Sequence, residues 1–169
     1  MRVSLLEAQE QISALKEFSA VEFSAEFSHT LLEFVLTLSV FESIFHGNKK
    51  FLKKKPYEQI ELSWAKPYFD FFVYRYVTDG KMNSKFDLFF QDQHNDEQWV
   101  IEKLLNPGTT SETERFLVVF KISYRFRNNL LHGNIGKAVR ELDQYDECFK
   151  KIIEFMLCLI EKLVELEEG

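Results

Sequence analysis

Apolar residues recur at steps of three and four along two long stretches of the chain. This spacing places the apolar side chains on one face of an α-helix, so each stretch predicts a long helix that packs in a bundle. The positions are Phe27, Leu31, Phe34, Leu38, Phe41 and Phe45 in the first stretch, and Leu142, Tyr145, Phe149, Ile152, Met156, Leu159, Leu163 and Leu166 in the second.

Further apolar residues widen the face of the first helix, which predicts that it is buried on more than one side. These residues are Leu32, Val35, Leu36, Val40 and Ile44. His46-Gly47-Asn48 follows the last apolar position, and Gly47 suits a left-handed residue that ends a helix. An earlier stretch, Val3–Phe18, also has helical spacing.

Two more helices are predicted from their terminal residues. Ser111 and Glu114 have the spacing of a capping box, so a helix begins there and runs to His132, before Gly133. Another helix is predicted over Glu97–Leu105, because the Asn-Pro-Gly that follows would end it.

The middle of the chain is less regular. A short helix is predicted from Pro56 to Lys66. Tyr68–Thr78 is predicted to be helical, although its aromatic and β-branched residues also suit an extended strand. Asp79-Gly80 predicts a turn, and the type of Phe86–Phe90 stays open.

Composition supports one helical domain over residues 1–169. Hydrophobic residues make up 46% of the 169 positions, with 18 Phe, which is enough to fill a core. Only 6 Gly and 3 Pro are present, so turns are few and the elements are long. We expect an all-α, up-and-down bundle of four to five main helices with a less regular middle segment.

Charge and cysteine content bear on compartment and partners. The net charge of −6 argues against a general nucleic-acid coat protein. Five lysines between Lys49 and Lys55 form either a solvated loop or a phosphate-binding track. Cys148 and Cys158 point to different sides of one predicted helix and cannot pair within it. The chain shows no leader pattern and no apolar run of about 18 residues, so we expect a cytoplasmic protein without membrane contact.

The segment from Tyr124 to Asn134 holds the candidate chemistry. Its sequence, YRFRNNLLHGN, combines arginines that can bind phosphate with a histidine that can move protons near neutral pH. On an ideal helix Lys121, Arg125, Asn128 and His132 fall within a sector of roughly 60°. Arg127 lies about 140° from His132, so two copies of the helix about a two-fold axis would be needed to bring both groups to one phosphate.

A capping role is the simpler interpretation of His132 taken alone. The same triplet, His-Gly-Asn, follows the earlier helix at His46, and a histidine in the last turn favours the helix dipole. Only His132, however, is preceded by residues that could bind phosphate.

The run Arg127-Asn128-Asn129-Leu130-Leu131-His132 resembles the signature of HEPN domains, which is an arginine, a polar residue, a short spacer and a histidine. The resemblance implies a helical bundle that dimerises through the helix carrying the motif. It also implies metal-independent RNA cleavage in toxin, antiphage or RNA-processing settings, with an antitoxin or another regulatory protein as a possible partner. Asn134 stands where members paired with a nucleotidyltransferase antitoxin carry a modified tyrosine, so silencing at that position is not expected.

The resemblance assigns roles to three residues. His132 would act as general base or acid, Arg127 would stabilise charge on the phosphoryl oxygens, and Asn128 would orient the phosphate or the imidazole. Lys121, Arg125 and Asn129 are added as candidate substrate-binding residues that contact flanking phosphates. No metal and no other cofactor is expected.

Two further interpretations remain open from the sequence. In the first, the chain is a HEPN-like bundle without catalysis that binds a protein or nucleic-acid partner. In the second, it is a helical adaptor in which Arg127 only pairs with a carboxylate such as Glu42.

Overall fold

The computed structural model describes residues 24–87, 95–131 and 144–168, and they are almost entirely helical. The helices are α1 (Ala25–Phe45), α2 (Asn48–Lys54), α3 (Lys66–Tyr76), α4 (Ser84–Asp87), α5 (Asn95–Leu105), α6 (Glu112–Leu131) and α7 (Asp146–Glu168). Two short strands, β1 (Val77–Thr78) and β2 (Lys81–Met82), form an antiparallel hairpin. The all-α fold that the sequence predicted is therefore confirmed.

Helix α1 begins and ends with local hydrogen bonds and backbone geometry that its sequence explains. The Ser24 hydroxyl accepts a hydrogen bond of 3.1 Å from the backbone N–H of Phe27, which satisfies an N-terminal donor. At the other end His46 adopts the left-handed conformation (φ 57°), and Gly47 follows with φ 86°. The predicted position of the helix end is confirmed, but the left-handed cap is His46 and not Gly47.

The periodic face of α1 packs as predicted, whereas the wider face does not. Phe27, Phe34 and Phe41 are buried together with Leu31 and Leu38, and Phe45 is partly buried. The five residues expected to widen the buried face are exposed instead. The prediction that α1 is buried on more than one side was wrong, because the other described helices pack against only one side of it.

Aromatic rings join α1, α2, α6 and α7 into one core. Phe41 contacts Phe51 of α2 (ring centroids 5.0 Å apart), Phe120 of α6 (5.7 Å) and Tyr124 of α6 (6.3 Å). Phe149 of α7 packs edge-on against α1 and α6 in the same way. Interlocked aromatic pairs fix the helices relative to one another more specifically than aliphatic packing alone.

The segment between α2 and α3 corrects a second prediction. In place of a continuous helix from Pro56 to Lys66, the chain forms two 3₁₀ turns, Pro56–Gln59 and Ser63–Ala65. Tyr57 and Leu62 are both buried, yet five residues apart on one α-helix they would point about 140° from each other. Breaking the helix lets both side chains reach the core.

The next segment is helical, as predicted, and a tight turn follows it. Helix α3 ends at Tyr76, and β1 and β2 pair across Asp79-Gly80. Both turn residues have positive φ (51° and 70°), which matches the twist of a two-residue hairpin. Phe86 is buried on α4, and the rest of the segment whose type was left open, residues 88–90, lies outside the described residues.

The predicted capping box at the start of α6 is confirmed. The Glu114 carboxylate accepts from the Ser111 backbone N–H (2.8 Å), and the Ser111 hydroxyl accepts from the Glu114 N–H (3.3 Å). Lys103 of α5 adds an ion pair of 2.9 Å to Glu114. The Lys103 ammonium, and after it the Ser111 donors, lower the pKa of Glu114 to about 2. The start of α6 is thus held to α5.

Helix α7 carries the second periodic face. Its periodic positions Phe149, Ile152, Met156, Leu159 and Leu163 are buried, as is Tyr145 just before the helix, whereas Leu166 is exposed. Leu142 lies outside the described residues. Cys148 is buried, Cys158 is half-buried, and both are free, as expected. The predicted stretch Val3–Phe18 also lies outside the described residues.

Helix α1 is long enough and apolar enough to cross a bilayer by length and composition, although the sequence contains no uninterrupted apolar run of that length. Core helices of soluble proteins meet the same criterion. The phenylalanines on its buried face pack against rings of α2, α6 and α7.

Candidate functional site

Helix α6 places Arg127 against Glu42 of α1. The Arg127 Nη2 donates to Glu42 Oε2 at 3.0 Å, and its Nη1 donates to Asn128 Oδ1 at 3.2 Å. The Arg127 side chain is 24% exposed and that of Glu42 is 31% exposed. The guanidinium is therefore fixed by two acceptors, and part of the Arg127 side chain still reaches solvent.

The position of Glu42 follows from the periodicity of α1. It is adjacent to the fully buried Phe41, at the edge of the face that packs on the bundle. Only two acidic residues, Glu33 and Glu42, occur between Phe27 and Phe45. Burying part of an arginine is costly without a counter-charge, and Glu42 supplies one.

Tyr124 lies beneath this ion pair, one turn earlier on α6. It is 5% exposed, and its hydroxyl has no hydrogen-bond partner within the described residues. Burial is the main cause that raises the pKa of Tyr124, the Glu42 carboxylate raises it further, and Arg127 lowers it. The tyrosine therefore stays neutral and forms a poorly solvated floor under the charged groups.

A small opening borders the ion pair. Its lining includes Val35, Ser39, Glu42, Arg127 and Leu130. One wall is the outer edge of α1 and the other is the last turn of α6 that the structure describes. A phosphate oxygen or a water molecule that approaches Arg127 along this opening meets the guanidinium beside apolar side chains.

An exposed, largely apolar face of α1, which also carries the exposed Glu33, continues outward from this opening. We call it the outer face of α1, and it consists of Leu32 (57% exposed), Val35 (37%), Leu36 (55%), Val40 (50%) and Ile44 (41%). Scattered exposed apolar residues are ordinary on a protein surface, but five on one helix face form a contiguous patch. Such patches are typical of surfaces that bind another protein.

The other predicted site residues are distributed differently. Lys121 lies over the ring of Trp99 on α5, with its Nζ 5.7 Å from the ring centroid, and Lys103 lies over the same ring at 5.9 Å. Lys121 is thus held toward α5, whereas Arg127 is held toward α1. Arg125 and Asn129 are half-buried on α6 and have partners of their own.

The structure therefore brings together Arg127, Asn128 and Glu42, and it places Lys121 near α5. His132 lies outside the described residues, so its distance from Arg127 is not part of this geometry. Sequence reasoning named Glu42 only as a counter-charge in the adaptor interpretation, and the contact itself is now observed. The signal that could have marked it earlier is a lone carboxylate beside a buried position of an otherwise apolar helix.

Comparison with known proteins gave no matching family model, no matching curated protein and no matching solved structure.

Proposed function

We propose that the chain is a homodimeric, metal-independent endoribonuclease of the HEPN type. The observation that carries the proposal is the fixed guanidinium of Arg127, whose side chain is partly exposed and borders the small opening. Glu42 and Asn128 take two of its five N–H groups, and the remaining donors can bind phosphoryl oxygens without further ordering of the side chain. The motif spacing and the all-α fold add support.

The chemistry needs only the residues of the motif. Removal of the proton from a ribose 2′-hydroxyl, by His132 as general base, lets that oxygen attack the adjacent phosphorus. The bond between phosphorus and the 5′-oxygen then breaks, and an imidazolium returns a proton to the leaving oxygen. Arg127 stabilises the negative charge on the non-bridging oxygens. The products are a 2′,3′-cyclic phosphate and a 5′-hydroxyl.

A second copy of the chain completes the site in this proposal. Helix α6, which carries the motif, is largely enclosed by the bundle and offers no large exposed apolar residue along its described length. The outer face of α1 lies beside Arg127, and its five defining residues are apolar and exposed. We therefore place the dimer contact on this face and the adjoining end of α6. Two such faces related by a two-fold axis would bring the two motifs to one groove.

The biological setting follows from the same proposal. Toxin, antiphage and RNA-processing roles all suit an RNA-cleaving dimer, with RNA as substrate and an antitoxin or other regulatory protein as an additional partner.

A non-catalytic binding module is the second candidate. The observation that favours it is the same ion pair, because Glu42 already neutralises Arg127 and weakens its attraction for phosphate. In this case the outer face of α1 would bind a protein partner, and no bond would be cleaved.

Cleavage of mixed single-stranded RNAs in EDTA separates the two candidates. The proposal expects cleavage that survives chelation, yields 2′,3′-cyclic phosphate ends by mass spectrometry, and is lost in His132→Ala. His46→Ala is the matched control, because it removes the histidine of the other His-Gly-Asn triplet and should leave cleavage intact. Binding without cleavage by the unmodified chain would support the second candidate.

A further inference from the structure

The strongest concentration of positive charge in the chain lies on helix α2. Lys49, Lys50, Lys53 and Lys54 are all exposed there, and Lys55 follows directly as the left-handed cap residue. The whole chain carries a net charge of −6, so the residues other than these five lysines sum to −11. A polyanion is repelled by most of the surface and attracted to this helix.

Four of these lysines form no ion pair within the described residues. Lys55 pairs with Glu58 at 2.8 Å, but no other lysine of α2 has an ion-pair partner within the described residues. Exposed charges are usually interspersed with the opposite sign, which limits repulsion between neighbours. Four neighbouring ammonium groups that have no ion-pair partner in the described part of the chain therefore indicate a surface suited to an external anion.

Helix α2 is held firmly despite its length of seven residues. Phe51 is 1% exposed, stacks on Phe120 of α6 at 5.0 Å and packs edge-on against Phe41 of α1. The apolar side of α2 is thus buried against α1 and α6. What remains outside is cationic, which suits a phosphate backbone and lacks the exposed apolar residues that a membrane-surface helix needs.

The position of α2 relative to Arg127 is set by the same rings. Phe41 contacts Phe51 on one side and Tyr124 on the other, and its neighbour Glu42 holds Arg127. Phe120 and Arg127 are seven residues apart on α6, which is about 10 Å along the helix. A nucleic-acid strand of a few nucleotides can span this separation.

We propose that the lysines of α2 bind the phosphates of single-stranded RNA that flank the scissile phosphate at Arg127. This inference rests on the proposed ribonuclease function and adds the path of the substrate. The contacts are to the backbone, so they position RNA without selecting its sequence. They supply the binding energy that the otherwise acidic surface cannot.

Fluorescence anisotropy with a labelled 20-nucleotide RNA tests the path. The protein is the full chain carrying His132→Ala, so that the RNA is not consumed, and EDTA is present throughout. One variant changes Lys49, Lys50, Lys53 and Lys54 to Gln. The control variant changes Lys66, Lys81, Lys85 and Lys162 to Gln, which alters net charge equally at other surface positions. Circular dichroism checks that both variants remain folded.

We expect the α2 variant to bind at least tenfold more weakly and the control variant less than twofold. Each lost phosphate contact lowers the slope of log K against log salt by about 0.7, so four contacts give a change of about 3. Equal losses in both variants, or no loss in the α2 variant, would overturn the proposal. So would binding to anionic lipid vesicles that depends on α2 while RNA binding does not.

Separate cleavage assays distinguish this inference from the function on which it rests. Cleavage by the unmodified chain together with normal RNA binding by the α2 variant would reject RNA binding by the lysines of α2 and would leave the ribonuclease proposal intact. RNA binding that depends on α2, without any cleavage by the unmodified chain, would reject the ribonuclease function and would support RNA binding by the lysines of α2.

Discussion

The ion pair between Arg127 and Glu42 should be measurable as a coupling energy in a double-mutant cycle. The cycle consists of Arg127→Met, Glu42→Gln and the double variant, each compared with the unmodified chain. The two side chains are 24% and 31% exposed, and their charged atoms are 3.0 Å apart. Each single change leaves the other polar group partly shielded from water without its partner, whereas the double change removes both.

The magnitude lies between two known limits. Fully exposed pairs couple by about 0.2–1 kcal/mol, and breaking a fully buried pair costs about 3–5 kcal/mol. A pair with about three quarters of its side-chain surface covered should therefore couple by about 1 kcal/mol. For a chain of this length, each 1 kcal/mol lost from the free energy of unfolding lowers the melting temperature by about 2–4 °C.

Urea denaturation followed by circular dichroism measures the cycle. The pair between Glu26 of α1 and Lys150 of α7 is the matched control, because it joins two helices at the same distance of 3.0 Å but is far more exposed (80% and 44%). We expect no measurable coupling there. A coupling between Arg127 and Glu42 that is within the scatter of additive variants, about 0.3–0.5 kcal/mol, would refute the argument that partial burial strengthens this pair.

Three other predictions test the proposed dimer, the core and the cap. Leu36→Glu should convert the proposed dimer into a monomer of 20.1 kDa in sedimentation experiments. Leu157→Glu, at an equally exposed leucine of α7, should leave the dimer intact. Dimers in both variants would contradict the placement of the dimer contact on the outer face of α1. Phe41→Ala should lower the free energy of unfolding by about 3–5 kcal/mol, and Tyr74→Ala, at a side chain that is 89% exposed, should leave the urea midpoint unchanged. Glu114→Gln should destabilise the chain at pH 7, because the folded state lowers the pKa of this carboxyl from 4.5 to about 2 and so favours its ionised form. That difference from the unmodified chain should shrink in thermal melts as the pH falls from about 4.5 towards 2, and a difference at pH 2 as large as that at pH 7 would contradict the assigned cause.

Much of the fold could be predicted because local spacing determined it. The steps of three and four along α1 and α7 predicted which side chains are buried, and the spacing of Ser111 and Glu114 predicted where α6 begins. These features depend on residues within a few turns of one another. The 3₁₀ turns after Pro56 were missed because the burial of Tyr57 and Leu62 depends on helices distant in sequence.

The candidate site was only partly predictable for the same reason. The motif marked Arg127 and Asn128, but the roles of their neighbours depend on which helix faces which side of α6. Lys121 was predicted to lie on one helix face with the motif residues, yet its side chain extends toward α5 and lies over the ring of Trp99. The outer face of α1 has the same composition as a buried face, so periodicity alone could not show that the described helices leave it uncovered.

Phe41 links the core and the candidate site in a single side chain. It contacts the ring that holds the lysine-bearing helix and the tyrosine beneath the arginine, and it is next in sequence to the carboxylate that holds that arginine. A smaller residue there would loosen three parts of the molecule together. Conditional alleles, active at low temperature and inactive on warming, should therefore be sought at this position before any surface position.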